Sequence, residues 1–217
     1  MDEKLIVDGD DRRVAPANDK QATMRHLDLG CGTVPRNPYG KPELFGVDIR
    51  PLAATSGVVF KSANLCLEPI PFPDKYFGSV SAFDYLEHVP RLLTTADGQS
   101  TFFPFVKLMS EVWRVLTPGG RFYALTPAYP SAAAFQDPTH VNVITKETHE
   151  YFCGESPKGA MYGFSGRFRA LRAEFVVHKD ARTACEFTLR QKLRRLKYLY
   201  QGRLSYFLWE LEAIKGP

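Results

Sequence analysis

The segment Asp28-Leu29-Gly30-Cys31-Gly32 closes a short apolar run at residues 24–29 and sets two glycines where the chain leaves a strand. Glycine lets a backbone approach a ligand closely and adopt positive φ. Twenty positions past Asp28, Asp48 ends a second apolar run at residues 43–49. A carboxylate there can accept the hydrogens of two vicinal ribose hydroxyls. Further on, Asp137-Pro138-Thr139-His140 pairs a carboxylate with an imidazole. Imidazole titrates near neutral pH, so His140 is the leading general base and Asp137 the group that could orient its ring. The plainer alternative is that Asp137 starts a turn and His140 caps or packs against it. His149 and Glu150 form a weaker pair. His140, Asp137 and His149 could also offer nitrogen and oxygen to an ion, but their spacing matches no metal motif, and no metal is expected.

These residues need a frame. Short apolar runs at 24–29, 43–49, 58–61 and 77–83 read as buried strands, and 121–126 as a fifth, entered through the turn Pro118-Gly119-Gly120. Before that turn, Phe105, Leu108, Met109, Val112, Trp113 and Leu116 follow the helical period, and Pro104 suits a first helical turn. Residues 127–163 form a long excursion rich in Pro, Gly, His and aromatics, with a short helix near 145–152. Two last strands are expected at 168–178 and 205–214, joined by a basic stretch at 189–201. This alternation predicts an α/β, Rossmann-like, mostly parallel sheet with helices on both faces. Residues 1–23 read as a polar arm and 24–217 as a single domain, with 127–163 on the substrate side.

Ligands of such a sheet sit beyond the carboxyl ends of its strands. A Gly-rich turn plus an acid after the second strand fits nicotinamide cofactors as well as S-adenosylmethionine. Two features separate them. The loop continues Thr33-Val34-Pro35 and lacks the third glycine of the dinucleotide pattern. Pro35, Pro38, Gly40 and Pro42 then crowd the place of the first helix, and each interior proline costs a helix about 3 kcal/mol. A dinucleotide pyrophosphate wants that helix N-terminus. S-adenosylmethionine carries no phosphate; loop amides could hold its aminoacyl end and a carboxylate such as Asp28 its ammonium.

The segments HLDLGCG (26–32), GVDI (46–49), LEHV (86–89) and WRVLTPGGRF (113–122) together resemble the class I methyltransferases of the type-11 group, over roughly residues 26–126. The resemblance implies a seven-stranded sheet with one antiparallel strand and a shortened first helix. It implies S-adenosylmethionine as methyl donor and S-adenosylhomocysteine as product. It places Asp28, Gly30, Cys31 and Gly32 against the cofactor, Asp48 and Ile49 at the ribose, Asn64 and Leu65 near the adenine, and Phe83, Asp84 and Tyr85 beside it after the fourth strand. Two positions depart from the family pattern: Asn64 stands where an acid is usual, and Gly78 follows Phe77 where Asp is usual. The segment around 137–140 resembles an Asp-Pro-Thr-His element of some bacterial members of this group. His88 reads as a brace for its loop, and residues 91–103 as a lid or a surface loop.

Composition adds bounds. The 217 residues carry a formal charge of +4 and 44% hydrophobic residues, an ordinary globular balance. Most of the positive excess lies at 158–203, with Arg190, Lys192, Arg194, Arg195, Lys197 and Arg203 close together, a run that could meet an acidic partner or a membrane surface, or form a solvated helix face. Four scattered cysteines and no apolar leader point to a reducing, cytoplasmic setting, and no run approaches the ~20 apolar residues of a membrane span. The expected activity is methyl transfer to oxygen or nitrogen of a small molecule or glycan. The alternatives are a nucleic-acid methyltransferase using 189–203 and a non-catalytic cofactor-binding protein.

Overall fold

The computed structural model describes residues 19–53 and 55–216, so the expected arm lies outside the described residues up to position 18. Its last residues form the single turn α1 (Asp19–Ala22), with Ala22 buried. The strands β1 (Arg25–Leu29), β2 (Glu43–Asp48), β3 (Val58–Ser62) and β4 (Phe77–Phe83) follow. Then come a two-residue-per-arm hairpin, β5 (Leu93–Thr94) and β6 (Thr101–Phe102), and the helix α2 (Pro104–Val115). The chain continues through β7 (Leu116–Pro127), β8 (Phe168–Val176), α3 (Leu189–Tyr200) and β9 (Tyr206–Ala213). The main sheet has seven strands in the order β3-β2-β1-β4-β7-β9-β8. β9 runs antiparallel to both β7 and β8, while the other pairings are parallel. Strand order reverses between β1 and β4, which opens a crevice at their carboxyl ends.

Every residue of β1 is buried, as expected for a strand covered on both faces. Alternation along β7 divides the core. Phe122 and Ala124 join the face that packs α2, and Tyr123 and Leu125 face the other side. On α2, Phe105, Leu108, Met109, Val112 and Val115 are buried and form one helical stripe. Each such side chain contributes roughly 1.5–3 kcal/mol of apolar burial. Trp209 of β9 lies in the same cluster, fully buried beside Phe105 at a ring separation of 6.4 Å. Trp209→Ala is therefore expected to lower unfolding free energy by about 3–5 kcal/mol, read from urea denaturation.

Helices are sparse. Among the described residues the connections from β1 to β2, β2 to β3 and β3 to β4 carry no α-helix. Pro35, Pro38, Pro42, Pro51, Pro69, Pro71 and Pro73 fall in them, and each removes a donor a helix would need. The face opposite α2 is closed largely by turns and irregular chain: Tyr39 packs on Tyr123, and Ala181 and Phe187 fill the space beside it. Gly78, the departure from the family pattern, has a local cause. A Cβ there would stand 2.7 Å from the backbone of Thr23, where the chain enters β1. The segment at 91–103 is a hairpin whose turn is braced by Thr95, Asp97 and Ser100.

Candidate active site

Beyond the carboxyl ends of β1, β2, β3 and β4 lies a cavity of about 360 Å³. Gly30, Asp48, Ile49, Asn64, Leu65, Asp84 and Tyr85 line it, together with Val47, Arg50, Ala63, Cys66 and His88. Gly30 has φ +61°, and a Cβ on it would meet the Tyr85 ring at 2.3 Å. The backbone and that ring thus form a cradle only glycine allows. Asp48 accepts from the Gly32 N–H at 2.9 Å and from the Arg50 N–H at 3.0 Å. Arg50 Nε also donates to it at 2.9 Å. Burial opposes ionisation of Asp48, but these bonds and the guanidinium charge prevail and hold its carboxyl below the ordinary range. The Arg50 side chain is largely exposed and can yield its place to a ligand hydroxyl.

Asp28 is placed differently from the sequence expectation. It is fully buried, accepting from Ser81 Oγ at 2.5 Å and from the Arg36 N–H at 2.8 Å. Burial raises its pKa to about 7. His26 completes the network, with Nδ1 on Ser79 Oγ and Nε2 on Ser81 Oγ. Burial holds that imidazole neutral, its pKa near 3. Asp28 therefore braces the helix-free loop from beneath instead of facing the cavity. Cys31 and Gly32 lie outside the cavity lining as well. The Cys31 thiol is buried toward Gly46, and burial pushes it up to about 12, so it is no nucleophile at neutral pH. Phe83 turns to the opposite face and packs on Tyr123.

The next residue reverses direction. Asp84 has φ +50°, a left-handed conformation costly for a non-glycine residue, and it brings its carboxylate to the cavity. Burial opposes the charge, yet the nearby His178 and Tyr206 side chains and the charge of Arg36 hold the Asp84 carboxyl below its usual range. Asp84 is thus the carboxylate suited to an ammonium group. Asn64 turns its Oδ1 to the Cys66 N–H at 3.1 Å, an Asx turn, while still lining the cavity.

The segment 127–163 closes on the same end. The Val141 and Asn142 N–H groups both donate to the Glu87 carbonyl at 2.9 Å, and Asn142 Nδ2 donates to the Leu86 carbonyl at 3.0 Å. Arg91 braces Asn142 and the Val143 carbonyl. His88 stacks edge-on against His140 at 4.9 Å. Side-chain atoms of Glu87, His88 and His140 come within 4.8 Å of one another. His140 Nδ1 lies 3.3 Å from the Ala134 carbonyl, which fixes the ring proton there and leaves a lone pair on Nε2. Asp137 does not hydrogen-bond that ring. Its Oδ1 accepts from the Thr139 N–H and Oγ1, and its Oδ2 stands 4.0 Å from His140 Nε2. It starts the turn and faces the side of the imidazole that would gain a proton. His149 packs against Phe207 and Trp209, away from this group, and Glu150 beside it is exposed.

Glu87 is nearly fully buried and accepts from Thr126 Oγ1 at 2.8 Å. Burial raises its pKa from 4.5 to about 7. The native state keeps a proton that the unfolded chain releases. This contribution to stability is full below pH about 4.5 and is lost as pH rises toward about 7. Glu87→Gln is expected to remove that decline, read as the difference between variant and parent urea midpoints at the two ends of the range. Identical pH slopes in the two proteins would refute it.

Residues 27–124 match a family model described as a methyltransferase domain. That match spans a little under half of the chain and supports its reading as an S-adenosylmethionine-dependent methyltransferase. No curated protein matches it. Its fold resembles the cyclase SpnF, with a TM-score of 0.51 and 18% identity over 88% of this chain and 75% of that one. It also resembles geranyl diphosphate C-methyltransferase from Streptomyces coelicolor, solved with Mg2+, geranyl diphosphate and S-adenosylhomocysteine. There the TM-score is 0.50, with 16% identity over 88% of this chain and 71% of that one. At such identities the likeness is one of fold. Arg50, Cys66 and His88 were not expected in the cavity. The local pattern offers one signal for them: each lies within four residues of the end of a parallel strand or its following acid.

Proposed function

We propose that the enzyme methylates an oxygen or nitrogen of a small-molecule or glycan acceptor bound between the cavity and the 127–163 segment. The observation that carries this reading is His88, which lines the cavity on one side and stacks on His140 on the other. A nucleophile held there faces a lone pair on His140 Nε2. The cavity residues fit the cofactor: Asp48 suits the ribose hydroxyls, Asp84 the ammonium, and Ala63, Asn64 and Leu65 the adenine end. Bound S-adenosylmethionine supplies a methyl group on a sulfonium centre. The protein's share is to align the acceptor in line with that methyl and to take its proton. His140 accepts the proton at Nε2, and the Asp137 carboxylate across 4.0 Å stabilises the imidazolium.

The test begins with calorimetry using S-adenosylhomocysteine, followed by a screen of hydroxyl- and amine-bearing acceptors for a mass gain of one methyl. Binding with a methylated alcohol or amine product is expected. A product methylated on carbon, or cofactor binding with no turnover on any acceptor, would count against the reading.

A further inference from the structure

The helix α3 sits the wrong way round for a surface helix. Its half-buried residues are Gln191, Arg194, Arg195 and Tyr198, spaced i, i+3, i+4 and i+7, so the face toward the protein is polar. Arg194 pairs with Asp180. Arg195 donates to the Phe175 carbonyl and pairs with Glu174 at 2.8 Å. A capping box at Thr188 and Gln191 fixes the first turn. The outward face carries Leu189, Leu193, Leu196 and Tyr200, spaced i, i+4, i+7 and i+11, with exposures of 74%, 60%, 63% and 95%. No residue of α3 is buried.

An outward leucine ridge costs solvation and invites a partner. Its flanks say which. Arg190 and Lys197 border the ridge on one side and Lys192 on the other. Residues 187–209 contain no Asp or Glu. A groove lined by Lys192, Leu196 and Leu199 flanks the ridge on one side, but Leu189, Leu193 and Tyr200 stand outside it, so a flat surface reaches more of the ridge than a peptide in that groove would. Long basic side chains beside leucines can lay their stems along acyl chains while their heads stay with headgroup phosphates, and a tyrosine at the end of the stripe suits the polar interface. Arginine and lysine heads would also bind nucleic-acid phosphates, but then the cations, not the leucines, would occupy the centre of the face.

We infer that α3 is a docking element for an anionic lipid surface, with Leu189, Leu193, Leu196 and Tyr200 entering the headgroup region and Arg190, Lys192 and Lys197 meeting its negative charge. No helix among the described residues is long and apolar enough to cross a membrane, so attachment by this route is peripheral.

The test is co-sedimentation of the full chain with phosphatidylcholine vesicles, with and without about 30% phosphatidylserine. Binding is expected on the anionic vesicles and is expected to weaken in about 0.5 M salt. Leu193→Glu combined with Leu196→Glu should reduce it about tenfold or more, with S-adenosylhomocysteine affinity and thermal midpoint unchanged. Both leucines are exposed, so the variant keeps its fold. The inference is overturned by absence of sedimentation, by equal binding to neutral vesicles, or by undiminished binding of the double variant. It is also overturned if the parent binds no vesicles but either self-associates through this face or binds RNA.

Discussion

Replacing His140 by alanine is expected to lower kcat by about 10²–10⁴-fold, the range a positioned base contributes. The cause is the loss of the Nε2 lone pair beside the cavity end marked by His88. His140 is not part of the cavity lining, so the affinity for S-adenosylhomocysteine should stay within about twofold of the parent, and the loss should fall on kcat more than on KM. Asp137→Asn provides a graded comparison. It keeps a side-chain oxygen for Thr139 but removes the charge facing the imidazolium. Its loss should be about tenfold, smaller than that of His140→Ala, because the carboxylate stands 4.0 Å away and is solvated. An unchanged rate in His140→Ala, with acceptor binding intact, would remove His140 as the base and leave it a packing partner of His88.

Gly30→Ala is expected to weaken S-adenosylhomocysteine binding by about 100-fold or more, whereas Gly32→Ala should cost about 30-fold at most, both read by calorimetry. The two glycines have nearly the same backbone, with φ of +61° and +56°. The left-handed conformation charges an alanine roughly 1–2 kcal/mol at either position. What differs is the space. A Cβ on Gly30 would lie 2.3 Å from Tyr85 Cδ2 and 2.8 Å from Cγ, while the nearest atom at Gly32 is Arg50 Nη2 at 3.8 Å. The Tyr85 ring is mostly enclosed and lines the cavity, so it cannot swing clear without deforming the binding wall. Equal losses at the two positions would show that backbone strain alone governs this loop.

Much of the frame was legible from periodicity. The helix expected at 104–116 is Pro104–Val115, and the strands expected at 43–49 and 77–83 are Glu43–Asp48 and Phe77–Phe83. Those signals are local: a buried strand must be apolar along its length, and a helix on a sheet must repeat its apolar residues every third or fourth position. Proline crowding after Gly32 likewise announced a shortened first helix, and the structure goes further, with no α-helix in that connection. Asp48 was legible because the acid directly ends a parallel strand, where ligands of such sheets bind.

Other assignments depended on partners far along the chain. Asp28 belongs to the family motif, yet Ser81, 53 positions away, takes one of its oxygens and seals it below the loop. Asp84 takes over the exposed role because its positive φ swings the carboxylate out after Phe83 turns inward. His88 and His140 meet because backbone N–H groups at 141 and 142 bind the Glu87 carbonyl, a bond no spacing in the sequence encodes. The basic stretch at 189–203 shows the division most clearly. Composition alone determined a basic stretch that could meet an acidic partner or a membrane surface, or form a solvated helix face. Only the tertiary structure decided its orientation: Asp180, Glu174 and the Phe175 carbonyl bind its arginines, so the polar face is drawn inward and the leucines remain outside.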